Sequence, residues 1–408
     1  MKMKTISTLM PIIFYHSVAP RKNPAWVRNY LTLGLKYFQD HLRLFTGLKM
    51  QSQFLDTYFH LKKDAENDEI LTSQNQKNIF ITLDDGFLDN WIYVFPLLKK
   101  YKVKATIFVN PEFVDTRHPV RKNLEDYWNN KAGLEEIDRW GYLSWEEMRR
   151  MEISGLVDIQ SHTLTHTKYV VSERITGFHR PGADSLHVIG NLYPEKKPYY
   201  IGDPSFETSI PYGYPLFEEA SAMIARKLSI NEDFNQEVIE SLRGTDWYSP
   251  LESEPERLYK GIKVIYDRYR ESNRLVIAKE TEKQYRIRVT DEIRQSKEII
   301  EKELNKQVSF CCWPFGDTND YARQKAMELG FLATTTGKQE NQNDDLQYLQ
   351  EIPHRIGLGV CKNNRVLTML KALYKIKSSQ KHYPYYGVKK IYESLRRREK
   401  IEVKKLRR

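Results

Sequence analysis

The segment Phe80-Ile81-Thr82-Leu83 is apolar or β-branched throughout and runs straight into Asp84-Asp85-Gly86. The run reads as a buried strand, and Gly86 permits a sharp turn after it. Two carboxylates side by side at a strand end raise each other's pKa and cost stability unless a cation or a proton shares the site. Taken alone, Asp-Asp-Gly is more often a solvated turn. A second stretch shifts the balance. Leu156-Val157-Asp158-Ile159-Gln160 is another short apolar run, and Ser161-His162-Thr163-Leu164-Thr165-His166 follows it. Imidazoles at i and i+4 can face the same way on a helical turn or a tight loop, the separation one divalent ion needs from two nitrogen ligands. Two histidines and one aspartate also leave an open position for water, the pattern of a catalytic rather than a structural zinc site.

Through residue 169 short apolar strands alternate with helical patterns, which signals an α/β fold with parallel strands. Strands are predicted at 12–15, 78–83, 105–109 and 157–160, and helices at 31–48, 91–101 and 144–155. The carboxylates and histidines then fall at the carboxyl ends of strands, where catalytic residues of such barrels cluster.

Thr82-Leu83-Asp84-Asp85-Gly86 and Ser161-His162-Thr163-Leu164-Thr165-His166 resemble the first two motifs of the polysaccharide deacetylases, carbohydrate esterase family four. Pro11 to Val18 resembles that family's opening strand, Trp313-Pro314-Phe315-Gly316 a third motif, and Pro353-His354-Arg355-Ile356 a late strand. The colinear match covers roughly residues 10 to 169 and 284 to 360. The resemblance implies a distorted (β/α) barrel with fewer than eight regular strands. It also implies one divalent ion, with zinc favoured and cobalt or nickel suited, held by Asp85, His162 and His166. Asp84 would act as general base, and a backbone N–H near Phe315 and Gly316 would steady the oxyanion.

The chain departs from the best-known members in two places. Cys312 stands four residues before Gly316, where many members carry an Arg that orients the catalytic Asp. No Leu-x-x-His supplies a general acid near the C-terminus, which leaves His354, His16 and His179 as candidates for the acid or for substrate contact.

Residues 170–283 do not fit the family pattern and read as an insertion into a barrel of residues 1–365. Its first half is rich in turn formers and tyrosine, which could stack on sugar rings or pin a loop. Its second half carries helical periodicity over 216–242 and 255–279, so the insertion is expected to be mostly helical. After residue 290 the pattern resumes with a helix to 304 and a strand at 308–312. A helix at 320–329 and a strand at 331–335 follow.

Residues 366–408 form a basic C-terminal extension. From Gly387 onward ten Lys or Arg face three Glu, which is +7 of the chain's net +10. Such a tail can draw a protein to an anionic membrane surface or remain a solvated end; no specific nucleic acid is expected. No apolar run approaches the roughly 20 residues of a membrane span. The N-terminus shows no cleavage site after its basic start, and three cysteines do not build a disulfide framework. A cytoplasmic location, or the inner face of the membrane, is the expectation. Three functions fit. One is removal of N-acetyl groups from amino sugars of a glycan or lipid-linked glycan. The second is hydrolysis of a related amide, such as deformylation of a lipid-linked amino sugar. The third is carbohydrate binding without catalysis.

Overall fold

The computed structural model describes residues 10–66, 77–335, 350–352, 355–361 and 364–380, together with 384, 385 and 387. The expected tail residues 388–408 and His354 lie outside the described residues.

Among the described residues nine strands form one parallel sheet. In chain order they are β1 (Ile12–Tyr15), β2 (Gln51–Gln53), β3 (Asn78–Leu83), β4 (Ala105–Val109), β5 (Val157–Ser161), β6 (Phe310–Cys311), β7 (Ala333–Thr335), β8 (Glu351–Ile352) and β9 (Ile356–Gly357). Their spatial order is β8-β7-β6-β5-β4-β3-β1-β9, with β2 beside β3. Laid flat, eight strands at the usual spacing would put the two edges about 34 Å apart. Yet β8 ends at Ile352 and β9 begins at Ile356, and four extended residues reach at most about 14 Å. The sheet must therefore curl until its edges approach, which gives a distorted barrel. Only β1, β3, β4 and β5 are four residues or longer.

Every residue of β3 and β4 is buried, as unbroken apolar runs in a parallel sheet covered on both faces should be. Alternation decides which way each side chain goes. Ile12, Phe80, Phe108, Phe310, Ala333 and Ile352 pack together inside the barrel. Ile13, Ile79, Ile81, Ala105 and Ile107 belong to the larger core that includes the surrounding helices. One of those helices, Trp145–Ile153, starts at a capping box in which Ser144 and Glu147 satisfy each other's backbone N–H groups.

The insertion opens on an antiparallel hairpin, Lys168–Phe178 with Pro215–Ser221. This corrects the helix expected over 216–242: the first part is strand, and the helix is confined to Glu232–Ser241. The apolar residues there serve both roles, and pairing with 168–178 decides the strand portion. Pro255–Glu271 is a helix as expected, and 276–279 is a short strand rather than its continuation. Hairpin and helices close a core of their own around Phe217, Phe234, Val238, Leu258 and Ile262. The tyrosine-rich first half instead lies on the barrel rim, where Leu186, Ile189, Phe206 and Ile210 pack with Trp26, Phe87, Phe113 and Tyr142. The helix expected from 290 begins earlier, at Glu282, behind a Thr281–Gln284 capping box. Among the described residues no helix is long and apolar enough to cross a membrane.

Candidate active site

At the end of β3 the chain makes two consecutive left-handed residues, Asp85 (φ 73°) and Gly86 (φ 66°). Gly86 is required twice over there. Its φ favours glycine, and a Cβ would sit 2.9 Å from Val109 of β4. Asp85 adopts the same region at an energetic cost, and strain of this kind concentrates where a side chain must be aimed. At the end of β5 the two histidines sit on a tight loop rather than a helical turn, with Thr163 (φ 63°) and His166 (φ 42°) left-handed.

Three separate elements pin that loop. Asn110, just past β4, donates to the carbonyls of His162 and Thr163. Glu292 accepts from Thr165 N–H (2.6 Å) and its hydroxyl (2.8 Å), and Lys197 of the insertion donates to the Thr165 carbonyl (3.0 Å).

The result brings Asp85, His162 and His166 together. Asp85 Oδ1 lies 3.3 Å from His162 Nε2 and 3.2 Å from His166 Nε2, and all three donor atoms lie within 4.8 Å of one another. Tetrahedral ligands about 2.0–2.1 Å from one ion stand roughly 3.3 Å apart, so the donor set fits such an ion. His162 Nδ1 donates to the Cys312 carbonyl (2.8 Å), which fixes the ring so that Nε2 faces Asp85. Burial opposes charge on Asp85, but the adjoining imidazoles hold its carboxyl well below the usual range.

Asp84 follows Phe80 and Thr82 on the interior face and is 3% exposed. Arg355 grips both its oxygens, Nη1 to Oδ1 at 2.6 Å and Nη2 to Oδ2 at 2.8 Å. Burial pushes this carboxyl up, and the guanidinium's charge and hydrogen bonds outweigh that and hold it below the ordinary carboxylate range. Arg355 also donates to Thr82 Oγ1 and to Cys312 Sγ (both 3.1 Å). Asp84, His162 and Cys312 form a second group with metal-ligand spacing. A cation there would meet the guanidinium already bound to two of its three members, so the Asp85 set is the better site.

A cavity of about 400 Å³ opens over these groups. His16, Phe315 and Gly316 line it, with His16 Nε2 3.9 Å from Asp84 Oδ2. Phe315 packs its ring 4.6 Å from that of His166. Both Phe315 and Gly316 are left-handed, and the Gly316 N–H is already donated to the Trp313 carbonyl (3.0 Å). His179 is not brought here: it walls a neighbouring cavity, and its ring nitrogens bond Ser185 and the Glu207 carbonyl (both 2.8 Å). Arg355 was not singled out by sequence reasoning. The available signal was period: Gly357 pairs with Phe14, so the residue two before it shares the interior face.

With this geometry in place, the chain can be set beside known proteins. Residues 72–193, which hold the Asp-Asp pair and both histidines, match the family model described as polysaccharide deacetylase. Over that segment the chain is similar to the polysaccharide deacetylases. YxkH of Bacillus subtilis, whose name assigns it to the polysaccharide deacetylases, is 27% identical over 160 residues, covering 38% of this chain and 43% of that protein. The poly-β-1,6-N-acetyl-D-glucosamine N-deacetylase of Escherichia coli is 30% identical over 102 residues, 25% of this chain and 14% of that protein. The chain thus spans less than half the length of these curated relatives. Among solved structures, a de-N-acetylase from Aggregatibacter actinomycetemcomitans aligns with 88% of this chain and 99% of its own at 17% identity, with a TM-score of 0.47.

Proposed function

We propose that this chain is a metal-dependent hydrolase that removes N-acetyl groups from amino sugars of a polysaccharide. The observation that carries the reading is the Asp85–His162–His166 set beside a buried Asp84 clamped by Arg355, all facing one cavity. The Escherichia coli relative's name supports an N-acetylated amino-sugar polymer as the substrate class.

A divalent ion held by Asp85, His162 and His166 would supply Lewis acidity, polarising the acyl oxygen and making water a nucleophile near neutral pH. Asp84 takes the water's proton as general base, and Arg355 fixes the direction of its carboxylate. The carboxylate is held ionised, so it is ready to accept a proton at neutral pH. With the Gly316 N–H committed to Trp313, the donor to the developing oxyanion is the Phe315 N–H. The amine leaves poorly as an anion and must be protonated. His16, the described histidine nearest Asp84 other than the metal set, is the group assigned to that step.

Purified protein should carry about one divalent ion per chain and release acetate from N-acetylated β-1,6-linked glucosamine oligomers. Formate released from an N-formyl substrate in preference to acetate would move the assignment to deformylation. A protein that binds oligomers with no ion and no release would be a carbohydrate-binding module.

A further inference from the structure

Arg28 lines the cavity over the metal set, and its side chain is only 13% exposed, so the guanidinium is largely desolvated. Two residues of the insertion hold it. Asp184 Oδ2 accepts from Nε at 2.8 Å, and His187 Nε2 lies 2.9 Å from Nη2. A guanidinium can only donate, so His187 accepts at Nε2 and carries its proton on Nδ1. That ring is neutral: burial, with the charge of Arg28 next, holds its pKa well below the usual histidine value. The His187 ring packs edge-on against Phe315 with centroids 5.5 Å apart, and the Phe315 ring lies 4.6 Å from that of His166. Arg28 thus belongs to the wall beside the metal set. Trp26, Leu186 and Tyr200 of that wall also line the neighbouring cavity of about 600 Å³.

The charges around the catalytic cavity are unequally spent. Asp84 is taken by Arg355, and Asp85 by the two imidazoles. A purely structural arginine in this protein looks like Arg121, which is gripped by Asp115 (2.9 Å), by Glu147 (2.5 Å) and by the Tyr142 carbonyl (2.8 Å). Arg28 differs. It bonds one oxygen of one carboxylate, and Asp184 is not part of the cavity lining. Its second partner is an uncharged ring, and among the described residues Nη1 has no hydrogen-bond acceptor. The insertion therefore fixes the direction of the guanidinium while leaving part of its charge and one of its nitrogens unused. A planar fork of this kind matches carboxylate and phosphate oxygens, and the charge-assisted bonds it makes are about twice as strong as neutral ones. A neutral hydroxyl in the same place would leave the desolvated charge unanswered. The chain's net charge of +10 also favours the approach of acidic ligands.

We propose that Arg28 is a specificity-determining residue that receives an oxyanion, carboxylate or phosphate, carried by the amino sugar whose amide is hydrolysed. The protein then selects acidic amino sugars over neutral ones, and the insertion sets that choice by holding Arg28 through Asp184 and His187. The proposal rests on the hydrolase reading of the same cavity.

The test measures binding by calorimetry on the full chain and follows acyl release separately. The probes are N-acetylglucosamine, its 1-phosphate and 6-phosphate, N-acetylmuramic acid and inorganic phosphate. At least one acidic sugar should bind about tenfold or more tightly than N-acetylglucosamine. Arg28→Gln should bring the two affinities together. Arg28→Lys keeps the charge without the planar fork and should retain part of the preference. Asp184→Asn should move the preference the other way, because it removes the carboxylate that offsets the guanidinium, and a misfolded cavity would not give that rise. Equal affinity for acidic and neutral sugars, or a preference unchanged in Arg28→Gln, overturns the proposal even if acetate is released. Inorganic phosphate binding as tightly as the best acidic sugar would also overturn it, since the site would then hold a free anion. A preference that Arg28→Gln abolishes, in a protein releasing no acyl group, keeps the anion site and removes the hydrolase reading.

Discussion

The two cavities share a wall, yet they are assembled in opposite ways. Over the metal set, the reactive side chains come from strand ends of the barrel, and each is fixed by a near neighbour: His162 by the Cys312 carbonyl, Asp84 by Arg355. In the adjoining cavity the lining comes from loops and short helices of two different parts of the chain, closed by the packing of Leu186, Ile189 and Phe206 on the rim. In the first arrangement the pairing of parallel strands sets the spacing of the side chains. The second is adjustable, because a change in the insertion alters the wall and leaves the strands alone. On the proposed reading the reaction would be tied to the barrel, and the insertion would be free to vary without moving the strand ends.

The sharpest way to break this division is to remove a ligand from the strand ends. His166→Ala should abolish both bound ion and acyl release, whereas Cys312→Ser should keep both. Elemental analysis decides it: an ion retained in His166→Ala and lost in Cys312→Ser would move the site to the Asp84–His162–Cys312 group. Next in size, Asp84→Asn should keep the ion and lower turnover by roughly 10²–10⁴-fold. Arg355→Lys keeps a positive charge but loses the two-pronged grip, and turnover should fall about 10–100-fold. If Arg355→Lys matched the parent in kcat, Asp84 would be oriented by something else. Smaller still for the reaction is a change in the insertion's separate core. Phe234 is fully buried there, so Phe234→Ala should cost about 3–5 kcal/mol in that unit. Hydrogen exchange should show the loss confined to 215–275, with metal content unchanged. Loss of the ion in this variant would show that the two regions are mechanically one.

What the sequence made legible follows the same division. Asp84, Asp85, His162 and His166 were readable because each sits within a few residues of a strand whose apolar run announces it. The curled sheet was readable from alternating strands and helices, although β6 to β9 are only two or three residues long and carry little signal of their own. Arg355 was missed because its partner lies 271 residues away and only the sheet register connects them. The strand at Pro215–Ser221 was missed for a related reason: its pairing with 168–178 is non-local, and local periodicity cannot report it. His179 was a fair candidate by residue type, and only the hydrogen bonds to Ser185 and Glu207 reveal a wall residue.

A final prediction contrasts two carboxylates that follow the same strand, and it concerns stability rather than rate. Asp84 faces a guanidinium and is held below its ordinary range. Asp89, five residues on, is equally buried but faces no cation. It accepts from the Ser17 hydroxyl (2.5 Å) and from Asn90 Nδ2 (2.8 Å), and burial outweighs these bonds and pushes its pKa up to about 7. In the unfolded chain an aspartate titrates near 3.9. Between those values the folded protein binds the proton that the unfolded chain has released, so stability must fall as pH rises from about 4 to about 7 and level off above. Asp89→Asn removes this dependence while keeping the shape of the group. The stability of Asp89→Asn relative to the parent should therefore rise across that window by ~2–4 kcal/mol, as read from urea unfolding at pH 5 and pH 8. A difference independent of pH would mean that Asp89 is ionised in the folded protein throughout. Its carboxylate would then need a cation that neither Ser17 nor Asn90 provides.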